Sequence, residues 1–140
     1  MADPFHLQRF VEAQNVEYEQ VLAELRAGRK RSHWIWFIFP QMKGLGHSPQ
    51  SEYYGIGSLN EAVAYARHPL LGPRLVECTE LVNRVEGRSI RDILGWPDDM
   101  KFRSSMTLFA CAAGDEKVFN AALEKYFGGE PDPLTVRMLG

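Results

Sequence analysis

The sequence has few cysteines and no long apolar run. Its 140 residues include two cysteines, Cys78 and Cys111. Both lie in apolar helical patterns without metal-type spacing, so we expect both thiols to be reduced and buried. The longest apolar run is six residues, whereas a membrane-spanning helix needs roughly 18–20. The chain begins without the basic and apolar regions of a signal peptide. These absences favour a cytoplasmic protein without a membrane partner.

A large charge of one sign and the motifs of common enzymes are absent as well. The net charge is −2, which gives no general attraction to nucleic acid or anionic lipid. The chain contains no G-x-S-x-G, H-E-x-x-H, C-x-x-C or Walker motif. Its four histidines, His6, His33, His47 and His68, have no i, i+4 pairing. We therefore expect no metal, no cofactor and no specific nucleic-acid partner.

The hydrophobic periodicity predicts a mainly α-helical protein. A chain of this length, with 45% hydrophobic and 24% charged residues, suits a single compact domain over residues 1–140. Apolar residues recur at helical spacing between start and stop signals, which predicts five to seven helices and at most one or two very short strands. The predicted helices start near Asp3-Pro4, Ser58, Gly72-Pro73 and Ser89, at Asp98 or Asp99, and near Asp115 and Asp132-Pro133.

An aromatic run followed by a polar, glycine-rich segment is the most informative stretch. Trp34 to Phe39 are six consecutive large apolar residues, which predict a core helix or strand that faces water on no side. Residues 44–57 include four glycines and one proline and predict a long loop. A polar loop on a rigid core is typical of a binding site. Aromatic core packing beside a simple turn explains the same pattern equally well.

Residues 95–109 form a second informative segment. On the helix predicted there, Lys101, Ser104 and Ser105 lie three or four residues apart and share a face. Serine and threonine are poor helix formers, and an ordinary solvated face more often carries Glu, Lys or Gln. We infer that this face lines something other than bulk solvent.

Two other features each leave an alternative open. The first is a basic cluster, which either complements the end of the first helix or holds an anionic ligand. It comprises Arg26, Arg29, Lys30 and Arg31. The second is Gln14, which interrupts the apolar stripe of the first helix. We expect it at the rim of the core, bonded to backbone; alternatively, it points at whatever the core surrounds.

Together the two informative segments supply aromatic faces, amides, cations, hydroxyls and carboxylates. This set suits a small-molecule ligand of nucleotide or sugar-phosphate type, and a carboxylate beside an aromatic ring can act as a general acid or base. The alternative is a non-enzymatic protein-interaction module with exposed aromatic residues. We expect a monomer or a weak homodimer. The predicted ligand-binding residues are His33, Trp34, Gln41, Lys43, Gly44, Gly46, Ser48, Tyr54, Trp96, Ser104, Ser105 and Thr107.

Several stretches resemble the DUF1810 family, and the resemblance extends from Phe10 to Leu139. The most specific is H-W-x-W-F-x-F-P-Q-x-x-G-L-G-x-S, which starts at His33. Further stretches run from Glu61 to Leu75 and from Asp98 to Phe109. The resemblance implies a small, mainly helical bacterial domain and no assigned activity.

A second resemblance is confined to short motifs. An E-A helix that ends near Leu-Gly, then Gly-Trp-Pro-Asp and a following Lys-Phe, is similar to the NADAR family. Members of that family cleave N-glycosidic bonds of ribosylated bases or amines. The resemblance implies an N-glycosidase in which Asp98, Asp99 and Lys101 are catalytic and Trp96 belongs to the site. The aromatic run has no clear counterpart in that family.

Overall fold

The computed structural model describes residues 2–140, which form nine α-helices and no strand. The mainly helical prediction is confirmed, but the predicted number of five to seven is too low. The predicted starts omit the helices over residues 35–38 and 49–54, which are only four and six residues long, too short for a periodic pattern to show. None of the helices in this range is long and apolar enough to cross a membrane. The helices are α1 Gln8–Arg26, α2 Ile35–Ile38, α3 Pro49–Tyr54, α4 Leu59–Arg67, α5 Leu71–Arg84, α6 Ile90–Leu94, α7 Asp98–Ala112, α8 Val118–Phe127 and α9 Pro133–Leu139.

Helix α7 lies at the centre of the packing. It contacts α2, α4, α6, α8 and α9, while α1 and α8 pack against α5. Phe102, Met106 and Phe109 share one face of α7, because consecutive residues are about 100° apart on a helix, and all three are fully buried. Leu108 and Thr107 point to other sides of the helix and are buried as well. A helix enclosed in this way shows no single apolar stripe.

The aromatic run forms one turn of helix, α2, within the core. Trp34 and Phe39 flank it and are buried, as are Ile35 and Phe37. Trp36 is only half-buried, so the prediction that no side of the run faces water is wrong at that position. The helix ends before Pro40 because a residue preceding proline disfavours helical geometry, and Phe39 has φ −124° and ψ 72°.

Gln14 connects three helices from within the core. Its amide group donates to the carbonyl oxygen of Phe37 at 2.7 Å and to the Tyr65 hydroxyl at 3.0 Å. Gln14 is 1% exposed, so the predicted position at the rim is wrong. Its partners explain the polar residue in the apolar stripe, because a buried amide requires hydrogen bonds.

The segment predicted as a long loop contains helix α3. The Ser48 hydroxyl accepts a hydrogen bond from the Ser51 N–H at 3.1 Å, and Pro49 occupies the first helical position. Serine caps and first-turn prolines both favour helix starts. A single parallel bridge between Met42 and Ile56 closes the segment at its base.

One predicted helix start, one predicted helix cap and one predicted burial are wrong. Asp3 accepts hydrogen bonds from the N–H groups of Leu7 and Gln8 and thereby caps the start of α1, but the helix begins at Gln8 rather than near Pro4. Helix α8 begins after Lys117 without a side-chain cap, and Asp115 lies outside it. Cys78 is buried, and burial raises the pKa of its thiol to about 12. Cys111 is exposed because it lies near the end of α7, away from the helix packing.

Candidate functional site

The two informative segments meet at a narrow cleft, which we call the Trp36 cleft. Helix α2 and the residues after it form one wall, the α3 region forms another, and Lys101 of α7 completes it. The cleft has room for about one water molecule. Its lining residues are Ile35, Trp36, Phe39, Gln41, Ser51, Tyr54, Gly55 and Lys101.

The indole N–H of Trp36 is buried and has no hydrogen-bond partner among residues 2–140. By contrast, the indole N–H of Trp34 donates to Glu24 Oε1 at 2.9 Å. The ammonium group of Lys101 lies 5.4 Å from the Trp36 ring centroid, within the range of a cation–π interaction. The Trp36 cleft therefore combines an unused donor with an adjacent positive charge.

Tyr54 contributes a neutral phenol to the same cleft. Burial raises the pKa of Tyr54, and the neighbouring Tyr53 raises it further. The phenol therefore remains protonated at neutral pH and is able to donate a hydrogen bond. Its ring packs against Phe10 and Phe37, with centroid distances of 5.7 Å and 5.5 Å, so its position depends on the core.

A wider cleft adjoins the first one. We call it the α9 cleft; its volume is about 720 Å³, including the space open to solvent. It shares Gln41 and Lys101 with the Trp36 cleft, so these two side chains lie between the two spaces. The lining residues of the α9 cleft are Gln41, Leu45, Pro97, Met100, Lys101, Ser104, Asp132 and Leu134.

Asp98 lies between two cations. Its Oδ2 is 2.8 Å from Lys30 Nζ, and its Oδ1 is 3.9 Å from Lys101 Nζ. Lys30 Nζ also lies 5.1 Å from the ring centroid of Trp34. Asp99 is buried, and its carboxylate accepts a hydrogen bond from the Met100 N–H at 2.9 Å. Neither Asp98 nor Asp99 lines the two clefts.

The hydroxyl-rich face of α7 supports the start of α9. The Ser104 hydroxyl donates to Met100 O at 3.2 Å and to Asp132 Oδ2 at 3.0 Å. Thr107 Oγ1 accepts a hydrogen bond from the Asp132 N–H at 2.8 Å. Ser105 is fully buried, and its hydroxyl has no partner in the described part of the chain. As inferred, this face does not meet bulk solvent; Ser104 and Thr107 pack against protein.

The structure brings together only part of the predicted site. Gln41, Tyr54 and Lys101 line the Trp36 cleft, and Ser104 lines the α9 cleft. His33, Lys43 and Trp96 are exposed, whereas Trp34 is fully buried. Ser48 caps α3. The predicted binding residues that line neither cleft are His33, Trp34, Lys43, Gly44, Gly46, Ser48, Trp96, Ser105 and Thr107.

Two glycines of the predicted site region allow close packing of backbone and side chains. A Cβ at Gly46 would overlap the side chain of Ser51 and approach Gln41 Nε2 to 3.2 Å. A Cβ at Gly55 would lie 2.7 Å from Lys43 Cα. Gly46 therefore shapes the cleft indirectly, by letting Ser51 and Gln41 take up their positions.

Ile35, Trp36, Phe39, Ser51 and Gly55 line the cleft but were not among the predicted binding residues. The Ser48-Pro49 helix start was the available signal for Ser51. It places Ser51 in the first turn of a helix, beside the capping serine.

No group of three or more His, Cys, Asp or Glu side chains among residues 2–140 is arranged to hold a metal ion. The polar and aromatic groups at the clefts include hydrogen-bond donors, aromatic rings, the ammonium group of Lys101 and the carboxylate of Asp132.

Comparison with known proteins identifies the family. The family model described as "Protein of unknown function (DUF1810)" matches residues 4–139. The chain belongs to the DUF1810 family. The crystal structure of the conserved hypothetical protein Rv1873 from Mycobacterium tuberculosis has 60% sequence identity to it over 98% of both chains, with a TM-score of 0.97. A comparison with functionally curated proteins found no match. The NADAR resemblance gains no support from these comparisons.

Proposed function

We propose that the Trp36 cleft and the α9 cleft together bind a small polar molecule with a nucleotide- or ribose-like group. The unpaired, buried indole N–H of Trp36 carries this proposal. A buried donor without a partner costs about 1–3 kcal/mol. A ligand acceptor at this position would supply the hydrogen bond that the protein does not provide.

The shapes of the two clefts suggest how such a ligand lies. The Trp36 cleft admits only a small group, such as a carbonyl, hydroxyl or ring nitrogen, beside Tyr54 and Ser51. The larger part of the ligand occupies the α9 cleft, and its path between the two passes Gln41 and Lys101. The ammonium group of Lys101 favours a ligand with an anionic group near this passage.

Binding without hydrolysis is the form of the proposal that the geometry favours. An N-glycosidase of the kind implied by the NADAR resemblance needs a carboxylate that faces the ligand. Asp98 faces Lys30 and Lys101 instead, and Asp99 accepts a hydrogen bond from its own helix. Asp132 lines the α9 cleft, but its Oδ2 already accepts hydrogen bonds from the Ser104 hydroxyl and the Thr135 N–H.

The first experiment compares Trp36→Phe with the wild type against ADP-ribose, nucleotides and sugar phosphates. Thermal unfolding and calorimetry measure binding, and chromatography detects cleavage. A ligand at about 100 times its dissociation constant adds about 2.7 kcal/mol to the stability of the wild type. Loss of one hydrogen bond to the ligand in Trp36→Phe weakens binding about threefold to tenfold.

Trp96→Phe is the matched control, because Trp96 is 67% exposed and lines neither cleft. It should bind the same compounds as the wild type. The proposal fails if no compound stabilises the wild type, or if Trp36→Phe and Trp96→Phe bind equally well. Cleavage of a bound glycoside that is lost in Asp98→Asn would overturn binding without hydrolysis.

A second candidate function, protein interaction, is favoured by exposed apolar side chains around α9. Met100 and Leu134 both line the α9 cleft and are 44% and 53% exposed. Met138 is also exposed. Its methyl group lies close to Gly44, 3.5 Å from where a Cβ on that glycine would be. Clustered apolar side chains on a surface are typical of protein contacts.

A further inference from the structure

A separate cleft concentrates positive charge on another part of the surface. We call it the basic cleft; its volume is about 800 Å³, including the space open to solvent. Four of its six lining residues are cationic, and one is acidic. The lining residues are Arg29, Lys30, Arg88, Arg91, Asp92 and Gly95. The basic cleft shares no residue with the Trp36 cleft or the α9 cleft.

Three of these cations have no acidic partner. No carboxylate in residues 2–140 lies within 4.0 Å of the guanidinium groups of Arg29, Arg88 or Arg91. Lys30 is paired with Asp98, and Arg88 donates only to the carbonyl oxygen of Gly28, at 3.4 Å. Guanidinium groups that share a cleft repel one another, and a bound anion relieves that repulsion.

Three arginines elsewhere in the chain have protein partners. Arg9 donates to Glu61 Oε2 at 2.7 Å and to four backbone carbonyls. Arg103 is paired with Glu130, and Arg74 stacks over the Tyr18 ring. The cations of the basic cleft therefore differ from these three structural arginines.

The end of a helix explains only part of the cluster. Of the cations in the basic cleft, Arg91 lies in the last turn of α6, where a cation complements the helix dipole. Arg29 and Arg88 lie outside the helices. The backbone that carries them is fixed, since Lys30 N–H donates to Ile93 O at 2.7 Å. The fold therefore brings Arg29 and Arg88 to the same cleft.

We propose that the basic cleft binds a short oligophosphate chain, either free or as the phosphate tail of a nucleotide. Guanidinium groups bind phosphate oxygens through two parallel hydrogen bonds, and several in one cleft favour a ligand with several phosphates. The lining contains no aromatic ring to stack on a base. Recognition therefore falls on the phosphates.

A long nucleic acid fits this surface less well. The whole chain carries a net charge of −2, so the surface outside the basic cleft is net acidic. Binding of a long nucleic acid requires cations along an extended track, with the neutralisation of many phosphates. Four cations line the basic cleft, and an adjoining cleft that shares Arg88 adds Arg26 and Arg84. This number of cations suits a short chain of phosphates.

Calorimetry with tripolyphosphate and orthophosphate tests the proposal on the full chain at low ionic strength. We expect tripolyphosphate to bind at least about tenfold more tightly than orthophosphate, because it engages more than one guanidinium. Arg88→Ala/Arg91→Ala should weaken tripolyphosphate binding at least about tenfold. Arg88→Lys/Arg91→Lys keeps the charge without the planar fork, and should give an intermediate affinity.

Arg67→Ala/Arg137→Ala is the matched control, since it removes two exposed arginines outside the cleft. It should retain the wild-type affinity within about twofold, because neither side chain lines the basic cleft. Equal affinity for ATP and tripolyphosphate would show that the phosphate chain alone is sufficient for binding. Tighter binding of ATP would show that the ligand is a nucleotide. Either supports the proposal. It is overturned by no binding at low salt, by equal weakening in the control, or by a single-stranded oligonucleotide that binds more tightly than tripolyphosphate.

Discussion

Glu24 is a buried carboxylate that holds the segment between α1 and α2. It is 4% exposed and accepts hydrogen bonds from Gln20, Arg31, Ser32 and Trp34. Burial alone would raise the pKa of Glu24. The hydrogen bonds from Ser32, the Arg31 backbone, Gln20 and Trp34 outweigh that effect and lower the pKa to about 2.

We predict that Glu24→Gln destabilises the protein by about 2–4 kcal/mol, because its amide N–H groups would face existing donors and leave them unpaired. Urea unfolding measures this change. Glu19→Gln is the control, since Glu19 is exposed on the same helix and should change stability by less than about 0.5 kcal/mol. Equal effects of the two substitutions would contradict the role given to Glu24.

The lowered pKa of Glu24 predicts part of the loss of stability at acidic pH. Its pKa is about 2 in the folded protein against an ordinary value of 4.5, so the unfolded chain binds a proton more readily. The stabilisation is full above the unfolded pKa and is lost as the pH falls towards the folded pKa. Between pH 4.5 and about 2, wild-type stability should therefore fall more steeply than that of Glu24→Gln. Parallel profiles would show that Glu24 is not responsible.

Trp34 and Trp36 show which properties of single residues can be predicted from the sequence. They lie two positions apart in one apolar run, and the run was correctly predicted to lie in the core. The structure separates them: the Trp34 indole meets Glu24, whereas the Trp36 indole faces the cleft. That difference depends on where α1 and α3 pack, and local sequence does not encode it.

At the level of elements, long helices were predictable from their periodicity, whereas short ones were predictable only where a capping signal marked their start. Helices α1, α5 and α7 each extend over several turns, so their periodic patterns or end signals stood out. Helix α3 has six residues, too few to show a period, and its glycine-rich surroundings favoured the prediction of a loop. Local capping signals were informative where the side chain reached its backbone target, as at Ser58 and Asp132.

Asp132 and Asp115 provide a matched test of capping. Asp132 accepts hydrogen bonds from the Thr135 N–H at 3.1 Å and from the Ser104 hydroxyl, whereas Asp115 caps no helix. We predict that Asp132→Ala costs about 1–2 kcal/mol and that Asp115→Ala costs less than about 0.5.

Urea unfolding measures both values, and hydrogen exchange at residues 133–139 should accelerate only in Asp132→Ala. Unchanged exchange in that variant would contradict the anchoring of α9 through Asp132.

At the level of the whole molecule, the exposed apolar side chains around α9 bear on self-association. We predict a weak homodimer that forms through this surface and that Leu134→Glu/Met138→Glu abolishes, because burying a new carboxylate is costly. Light scattering over a wide range of protein concentration measures the association.

Val16→Glu is the control for that experiment. Val16 is 83% exposed on α1, so its substitution should leave the dimer unchanged. A wild type that remains monomeric at every concentration would argue against the surface as a contact between copies.

The bridge between Met42 and Ile56 has a consequence for how the cleft can be altered. Lys43 N–H donates to Ile56 O at 2.8 Å, and Ile56 N–H donates to Gln41 O at 2.9 Å. The two ends of residues 43–55 are therefore held side by side, as in compact surface loops that pack on themselves. Such a segment can be replaced by another sequence without changing the distance between its two ends. Because it carries Ser51, Tyr54 and Gly55, a replacement segment would form a new wall of the cleft, and an aromatic residue kept at position 54 would preserve the packing on Phe10 and Phe37.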